Sequence, residues 1–97
     1  MDTPVAFLDV GSNSVLLLVA RRERGRIAPL AERCTITGLA RGFAGGFLSD
    51  ASMKRTMEAI GDHARVARSL GASRFVAVAT EAVRKAKNGG EFMKMVE

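Results

Sequence analysis

Two short apolar runs near the start of the chain constrain its fold more than any other feature. Residues 5–9 (VAFLD) and 14–20 (SVLLLVA) are rich in Val and Leu, and the polar loop DVGSNS joins them. Apolar runs of this length, bounded by turn-forming residues, predict two β-strands that pair as an antiparallel hairpin. The chain must therefore build a sheet and bury at least one of its faces.

The remaining segments predict further elements of an α/β domain. A third strand is expected within residues 27–38, where Pro29 favours a sheet edge or a bulge, and the glycine-rich residues 38–46 predict an irregular loop. Ser49 is placed to cap a helix that ends near Gly71. A strand at 74–80, a helix at 81–87 and the start of another helix at 91–97 complete the order. The apolar face predicted for the long helix consists of Met53, Met57, Ile60, Ala64 and Ala67.

Length and composition exclude several classes of protein. With 97 residues, 47% of them hydrophobic, the chain suits one small globular domain. No apolar run approaches the ~20 residues that a membrane span needs, and the N-terminus lacks a signal-peptide pattern, so a cytoplasmic location without membrane contact is expected. The single Cys34 and single His63 provide neither a disulfide nor a zinc cluster. Cys34 is expected to be a buried apolar residue, and His63 is expected to lie on the exposed side of its helix.

The charge balance indicates an anionic partner. Fifteen Lys and Arg against ten Asp and Glu give a net charge of +5, which favours phosphate-rich ligands. Tyr and Trp are absent and only five Phe are present, so the aromatic platforms that single-stranded nucleic acids use are poorly supplied. The basic run RRERGR at residues 21–26 is interpreted as a solvated turn, with a polyanion-guiding surface as the alternative.

The loop between the first two strands carries groups that are suited to phosphate. Gly11, Ser12, Asn13 and Ser14 expose backbone N–H groups and hydroxyls near one point, which is the equipment that holds a phosphate oxygen. Asp9, at the end of its strand, provides a carboxylate able to hold Mg²⁺ beside that phosphate. The alternative is an ordinary hairpin turn, because Gly, Asn, Ser and Asp are also the common turn formers.

Three segments of the chain, taken in order, resemble the N-terminal region of the exopolyphosphatase and guanosine pentaphosphate phosphohydrolase (Ppx/GppA) family. The most specific of their elements are the Asp-x-Gly-Ser-Asn-Ser loop at 9–14, the helix start at 48–56 and the Ala-Thr-x-Ala-x-Arg-x-Ala-x-Asn run at 79–88. The resemblance covers nearly the whole chain. It departs from the family at Ala40, where a glycine is usual, and at Leu16, where many members carry an arginine.

The resemblance implies a fold and a set of site residues. The fold is a ribonuclease H-like half-domain of the actin-like ATPase superfamily, with three antiparallel strands followed by helix, strand and helix. Residues 1–97 would be a single, incomplete domain, the N-terminal portion of a Ppx/GppA phosphatase domain. The first phosphate loop and its metal ligand would be Gly11, Ser12, Asn13, Ser14 and Asp9. Thr80 and Arg84 would lie at the edge of the same crevice, where open α/β sheets bind ligands.

The activity implied by the resemblance is removal of the terminal phosphate from polyphosphate or guanosine pentaphosphate by Mg²⁺-assisted attack of water. The family's catalytic glutamate and second phosphate loop are expected downstream of residue 97, so no catalytic residue is assigned within the chain, which alone is expected to be inactive. Two alternatives stay open: a catalytically silent phosphate-binding or interaction module of the same fold, and a small basic nucleic-acid-binding protein. An uncovered sheet edge is also expected to promote self-association.

Overall fold

The computed structural model describes residues 3–96, with the side chains of Glu81 and Ala82 excepted. Four strands and three helices follow one another along the chain: β1 (Val5–Val10), β2 (Ser14–Glu23), β3 (Arg26–Ile36), α1 (Asp50–Ser69), β4 (Arg74–Ala79), α2 (Glu81–Lys85) and α3 (Gly89–Val96). The predicted order of elements is confirmed. The last helix begins at Gly89, two residues earlier than the sequence predicts.

The four strands form one mixed sheet in the order β3-β2-β1-β4. β1 pairs antiparallel with β2 from Val5↔Ala20 to Val10↔Val15, and it pairs parallel with β4 on its other side. This arrangement confirms the predicted α/β fold with an antiparallel three-stranded opening. Pro29 lies on the edge strand β3 beside a register shift in the β2–β3 ladder, as its missing N–H requires.

Helix α1 covers one face of the sheet. Ser49 caps it through a hydrogen bond from the Ser52 amide to the Ser49 hydroxyl, 3.1 Å long, and the chain leaves it through Gly71 at φ +92°. The buried side of the helix is rotated by about one residue from the predicted face. Met53, Met57 and Ala64 are only half-buried, while the inward positions are Ser52, Thr56, Ala59, Ile60, His63 and Ala67.

The prediction that His63 is exposed is wrong, since only 2% of its surface is accessible. Its position, one turn from Ile60 and four residues before Ala67, puts it on the inner side of α1 despite its charged sequence neighbours. The ring nitrogen Nε2 lies 3.1 Å from the Thr35 hydroxyl on β3. This hydrogen bond satisfies a polar group that burial would otherwise penalise.

The prediction that Cys34 is buried is also wrong, because its thiol is exposed. Cys34 pairs with Leu16 across the β2–β3 ladder, and both side chains belong to the sheet face turned away from α1. No described helix covers that face. Phe7, Leu16 and Val78 are each more than 40% exposed there.

The core therefore lies on one side of the sheet only. Its buried members come from the inward positions of the strands, from α1, from Leu39, Leu48 and Ala72 in the connecting segments, and from Val83, Ala86 and Phe92 of the C-terminal segment. None of the helices within residues 3–96 combines the length and the apolar character needed to cross a membrane.

Candidate functional site

The loop between β1 and β2 is a tight reversal. Val10 and Val15 form the last pair of the two strands, and the Gly11 amide donates to the Ser14 carbonyl over 2.9 Å. A Cβ on Gly11 would come within 3.1 Å of that same carbonyl oxygen, so the turn favours glycine at this position. Ser12 and Asn13 form the tip of the loop, where Asn13 is exposed.

The glycine-rich loop at residues 37–47 fixes the orientation of this tip. The Asn13 carbonyl accepts hydrogen bonds from the amides of Thr37 and Gly38, and the Ser12 carbonyl accepts one from Ala40, each 2.9 Å long. In a trans peptide the N–H points opposite to the C=O of the same unit. The amides of Asn13 and Ser14 therefore point away from the glycine-rich loop.

Thr80 lies beside the β1–β2 loop. Its amide donates to the Val10 carbonyl over 3.1 Å, and its methyl carbon lies 3.7 Å from the position that a Cβ on Gly11 would occupy. Thr80 also precedes helix α2, but its side chain makes no capping hydrogen bond there. The hydroxyl is thus not committed to the helix, and the residue that carries it borders Gly11 of the loop.

Arg84 takes a different position. Its amide donates to the Thr80 carbonyl over 3.1 Å. Arg84 also lines a depression along the outer edge of β4, together with Val78, Ala79 and Gly90. Among the described contacts, none joins the Arg84 guanidinium to residues 9–14. The structure thus brings Thr80 to the loop and leaves Arg84 at the sheet edge beside it.

Asp9 lies on the uncovered face of the sheet, between its ladder partners Leu16 and Val78. Its side chain is exposed. Within the described residues no cluster of three or more His, Cys, Asp or Glu is available to hold a metal ion. A Mg²⁺ ion at this point would take one ligand from Asp9 and the rest from water and phosphate oxygens, which is an ordinary coordination for this ion.

Helix α1 holds the start of the glycine-rich loop through Arg55. Its guanidinium donates to the carbonyls of Thr37 (3.1 Å) and Gly38 (3.3 Å) and to the Ser52 hydroxyl (2.9 Å). The Ser52 hydroxyl in turn donates to the Arg41 carbonyl over 2.6 Å. Because the amides of Thr37 and Gly38 bond to the Asn13 carbonyl, Arg55 positions the tip of the β1–β2 loop indirectly.

Asn88 holds the other end of the same loop. Its side-chain oxygen accepts from the Leu48 amide at 2.8 Å, and its side-chain nitrogen donates to the Leu48 carbonyl at 3.0 Å. The sequence motifs at 48–56 and 79–88 contain Arg55 and Asn88, but pattern alone assigned them no role. Their function follows from contacts 17 and 40 residues away along the chain, which a single sequence does not reveal.

One titratable group is buried beneath this assembly. Burial lowers the pKa of His63 below its usual range, and the positive charge of Arg33 on β3 lowers the pKa further. The backbone of Val15 and the charge of Asp62 oppose that shift but do not reverse it. A buried imidazole under α1, hydrogen-bonded to Thr35, is suited to structural packing.

The sheet order and the loop define the class of protein. A β3-β2-β1-β4 sheet with one antiparallel hairpin loop at the end of β1 and a parallel β4 beside it is the half-domain of the actin-like ATPase fold. The chain belongs to the Ppx/GppA phosphatase family, whose model matches residues 18–97.

Individual relatives support the same assignment. Exopolyphosphatase 1 of Mycobacterium leprae is 33% identical over 91 residues, which are 92% of this chain and 27% of that protein. The Ppx/GppA family member of Aquifex aeolicus superposes with a TM-score of 0.88 at 34% identity, over 97% of this chain and 31% of that one. An exopolyphosphatase from Cytophaga hutchinsonii shares the fold with a TM-score of 0.88 at 21% identity. The chain thus spans less than a third of the length of these relatives.

Proposed function

We propose that this chain supplies one half of a phosphohydrolase site, the half that holds the terminal phosphate of polyphosphate or guanosine pentaphosphate. The observation that carries the proposal is the locked orientation of the loop tip, whose Ser12 and Asn13 carbonyls are drawn into the glycine-rich loop. Two consecutive amides, those of Asn13 and Ser14, are thereby turned away from the glycine-rich loop, and Thr80 borders the same turn at Gly11. Preorganised N–H donors of this kind stabilise charge on phosphate oxygens without further rearrangement.

Asp9 is the residue proposed to hold Mg²⁺ beside the bound phosphate. When bound, the ion neutralises charge on the phosphate oxygens. In the proposed reaction the oxygen of water forms a bond to the terminal phosphorus as the bridging P–O bond breaks. The bond pair leaves with the bridging oxygen, and a proton of the water passes to that oxygen or to solvent. The products are orthophosphate and either polyphosphate shorter by one phosphate or guanosine tetraphosphate.

The residues proposed to contact the phosphate directly are Gly11, Ser12, Asn13, Ser14 and Thr80. Arg84 is proposed to contact a ligand that is longer or that binds in a different place. An arginine suits the grip of a phosphate because its guanidinium donates two parallel hydrogen bonds. We also propose a cytoplasmic location, on the sequence argument alone.

A second candidate is a phosphate-binding module that does not catalyse hydrolysis. It is favoured by the surroundings of the loop, since Asp9 is the one carboxylate in residues 5–20, which contain the loop and the paired parts of β1 and β2. Hydrolysis needs a base that positions water in addition to charge neutralisation.

One experiment separates the two candidates. Orthophosphate release from long-chain polyphosphate and from guanosine pentaphosphate is measured with Mg²⁺, while binding of tripolyphosphate is measured by calorimetry. The variants are Asp9→Asn and Ser12→Ala, with the exposed Lys54→Gln on α1 as a matched surface control. Release that disappears in Asp9→Asn supports the hydrolase. Binding without release that Asp9→Asn weakens is the result expected of one half of a hydrolase site, and binding without release that Asp9→Asn leaves unchanged supports the silent module. Absence of both in the wild-type chain would overturn the proposal.

A further inference from the structure

The β2–β3 hairpin extends beyond the rest of the sheet. The pairing of β1 with β2 ends at Val5↔Ala20, while β2 and β3 stay paired as far as Glu23↔Arg26. Residues 21–28 therefore form a two-stranded ribbon that projects past the end of β1, in a molecule 49 Å long and only 20 Å wide. Ile27, on this ribbon, is 70% exposed. We call residues 21–28 the basic ribbon.

The turn of the basic ribbon places an arginine in a disfavoured conformation. Arg24 has φ +50° and Gly25 has φ +76°, so both central residues of the turn are left-handed. Such a hairpin turn normally uses Asn or Asp followed by Gly, because side chains with a Cβ tolerate this region poorly. An arginine here works against the stability of the turn and places a guanidinium at the tip of the hairpin. A residue that is unfavourable for folding is a reason to look for a binding role.

The charges of the basic ribbon are arranged to leave positive groups available. Arg21 approaches Glu23 through Nε at 2.8 Å and through its terminal nitrogen at 2.6 Å, which neutralises the one carboxylate in the segment. Arg24 and Arg26 line a groove of about 660 Å³ together with Glu23, Ile27 and Ala28. Neither Arg24 nor Arg26 lies within ion-pairing distance of a carboxylate among the described residues. The groove therefore presents two guanidinium groups for an anion.

We propose that the basic ribbon is a second contact surface for a long inorganic polyphosphate chain. The ribbon and the phosphate loop occupy opposite ends of β2, and nine residues of rise along the strand separate them by about 30 Å. Only an extended polyanion reaches both points, and guanidinium groups bind phosphate oxygens in pairs of hydrogen bonds. The sequence of the basic ribbon contains no aromatic residue on which a base would stack, which favours polyphosphate over single-stranded nucleic acid. The statement that one ligand bridges both points rests on the proposed function of the loop.

The test compares three ligands and two matched double variants. Binding of long-chain polyphosphate, tripolyphosphate and a single-stranded RNA homopolymer of similar charge is measured at several salt concentrations. Arg24→Gln/Arg26→Gln removes two charges from the basic ribbon, and Lys54→Gln/Lys94→Gln removes two from exposed positions on α1 and α3. We expect the ribbon variant to weaken long-chain binding about tenfold or more and to leave tripolyphosphate binding within about twofold, since only the long chain loses these charge-assisted contacts. The control variant is expected to change neither by more than about twofold.

Each outcome has a defined meaning. Equal weakening in the two double variants would overturn the inference, because net charge alone would then explain the binding. Tighter binding of the RNA with the same dependence on Arg24 and Arg26 would overturn the assignment to polyphosphate. Ribbon-dependent binding of the long chain in the absence of tripolyphosphate binding would support the ribbon as a polyanion surface while overturning the proposed function of the loop. Tripolyphosphate binding, combined with no effect of the ribbon variant on long-chain binding, would overturn the ribbon as a polyanion surface while supporting the proposed function of the loop.

Discussion

Replacement of Asn88 tests whether the glycine-rich loop is held in place as its hydrogen bonds indicate. Asn88→Ala removes both side-chain hydrogen bonds to the backbone of Leu48, at 2.8 and 3.0 Å. Leu48 is buried, so its amide and carbonyl lose partners that water replaces only in part. Each unsatisfied buried group costs about 1–3 kcal/mol, and Asn88 is half-buried, which favours the lower half of that range. We expect the free energy of unfolding to fall by about 2–3 kcal/mol.

Urea denaturation followed by circular dichroism measures this change. For a domain of this size the total stability is about 5–15 kcal/mol, so the loss is large enough to resolve. Asn88→Asp separates the two bonds, because the carboxylate still accepts from the Leu48 amide but repels the Leu48 carbonyl. We expect it to be destabilising as well.

Asn13→Ala is the matched control, since its side chain is exposed and makes no hydrogen bond among the described residues. The reasoning is refuted if Asn88→Ala and Asn13→Ala lose equal stability, or if Asn88→Ala costs less than about 0.5 kcal/mol, the usual size of a surface effect. If Asn88→Ala loses stability while residues 37–47 resist protease as well as they do in the wild-type chain, the further claim that this asparagine holds the glycine-rich loop is refuted.

Four shorter predictions follow from other positions. Gly89→Ala should destabilise the chain by more than about 2 kcal/mol, because a Cβ there collides with the Val83 carbonyl; Gly90→Ala, which meets nothing, should be neutral or stabilise by up to about 1 kcal/mol in the same denaturation assay. Because burial lowers the pKa of His63, the unfolded chain binds its proton more tightly. Stability should therefore be full above pH ~6.5 and decline as the pH falls below that value, and His63→Gln should flatten this decline. The exposed Cys34 thiol should react with a thiol reagent in the native state at nearly its unfolded rate. Sedimentation at rising concentration should reveal self-association through the uncovered sheet, and a single monomer at all concentrations would contradict it.

The fold was predictable because its signals are local. The strand pattern of residues 5–20, the cap at Ser49 and the glycine at position 71 act on their own neighbours, and each is confirmed. The phase of helix α1 was not predictable from hydrophobicity, because polar residues occupy its inner side. Ser52 and Thr56 are buried there, and their hydroxyls donate hydrogen bonds of 2.6 and 2.8 Å to carbonyl oxygens. A pattern based on hydrophobic residues alone assigns both positions to the outer side of the helix.

The candidate site, too, was predictable in part from the sequence. The sequence motif locates residues 9–14, but the direction of the loop amides depends on the partners of the Ser12 and Asn13 carbonyls, which lie in a separate loop. That loop is held by Arg55 of α1 and by Asn88, which precedes α3. The geometry of the β1–β2 loop therefore depends on segments that are distant in sequence. A variant that retains all of residues 9–14 but loosens Asn88 should therefore bind phosphate more weakly, since the amides would no longer be preorganised. If phosphate affinity survives that loosening, the loop sequence alone fixes the geometry and the glycine-rich loop is only a connection.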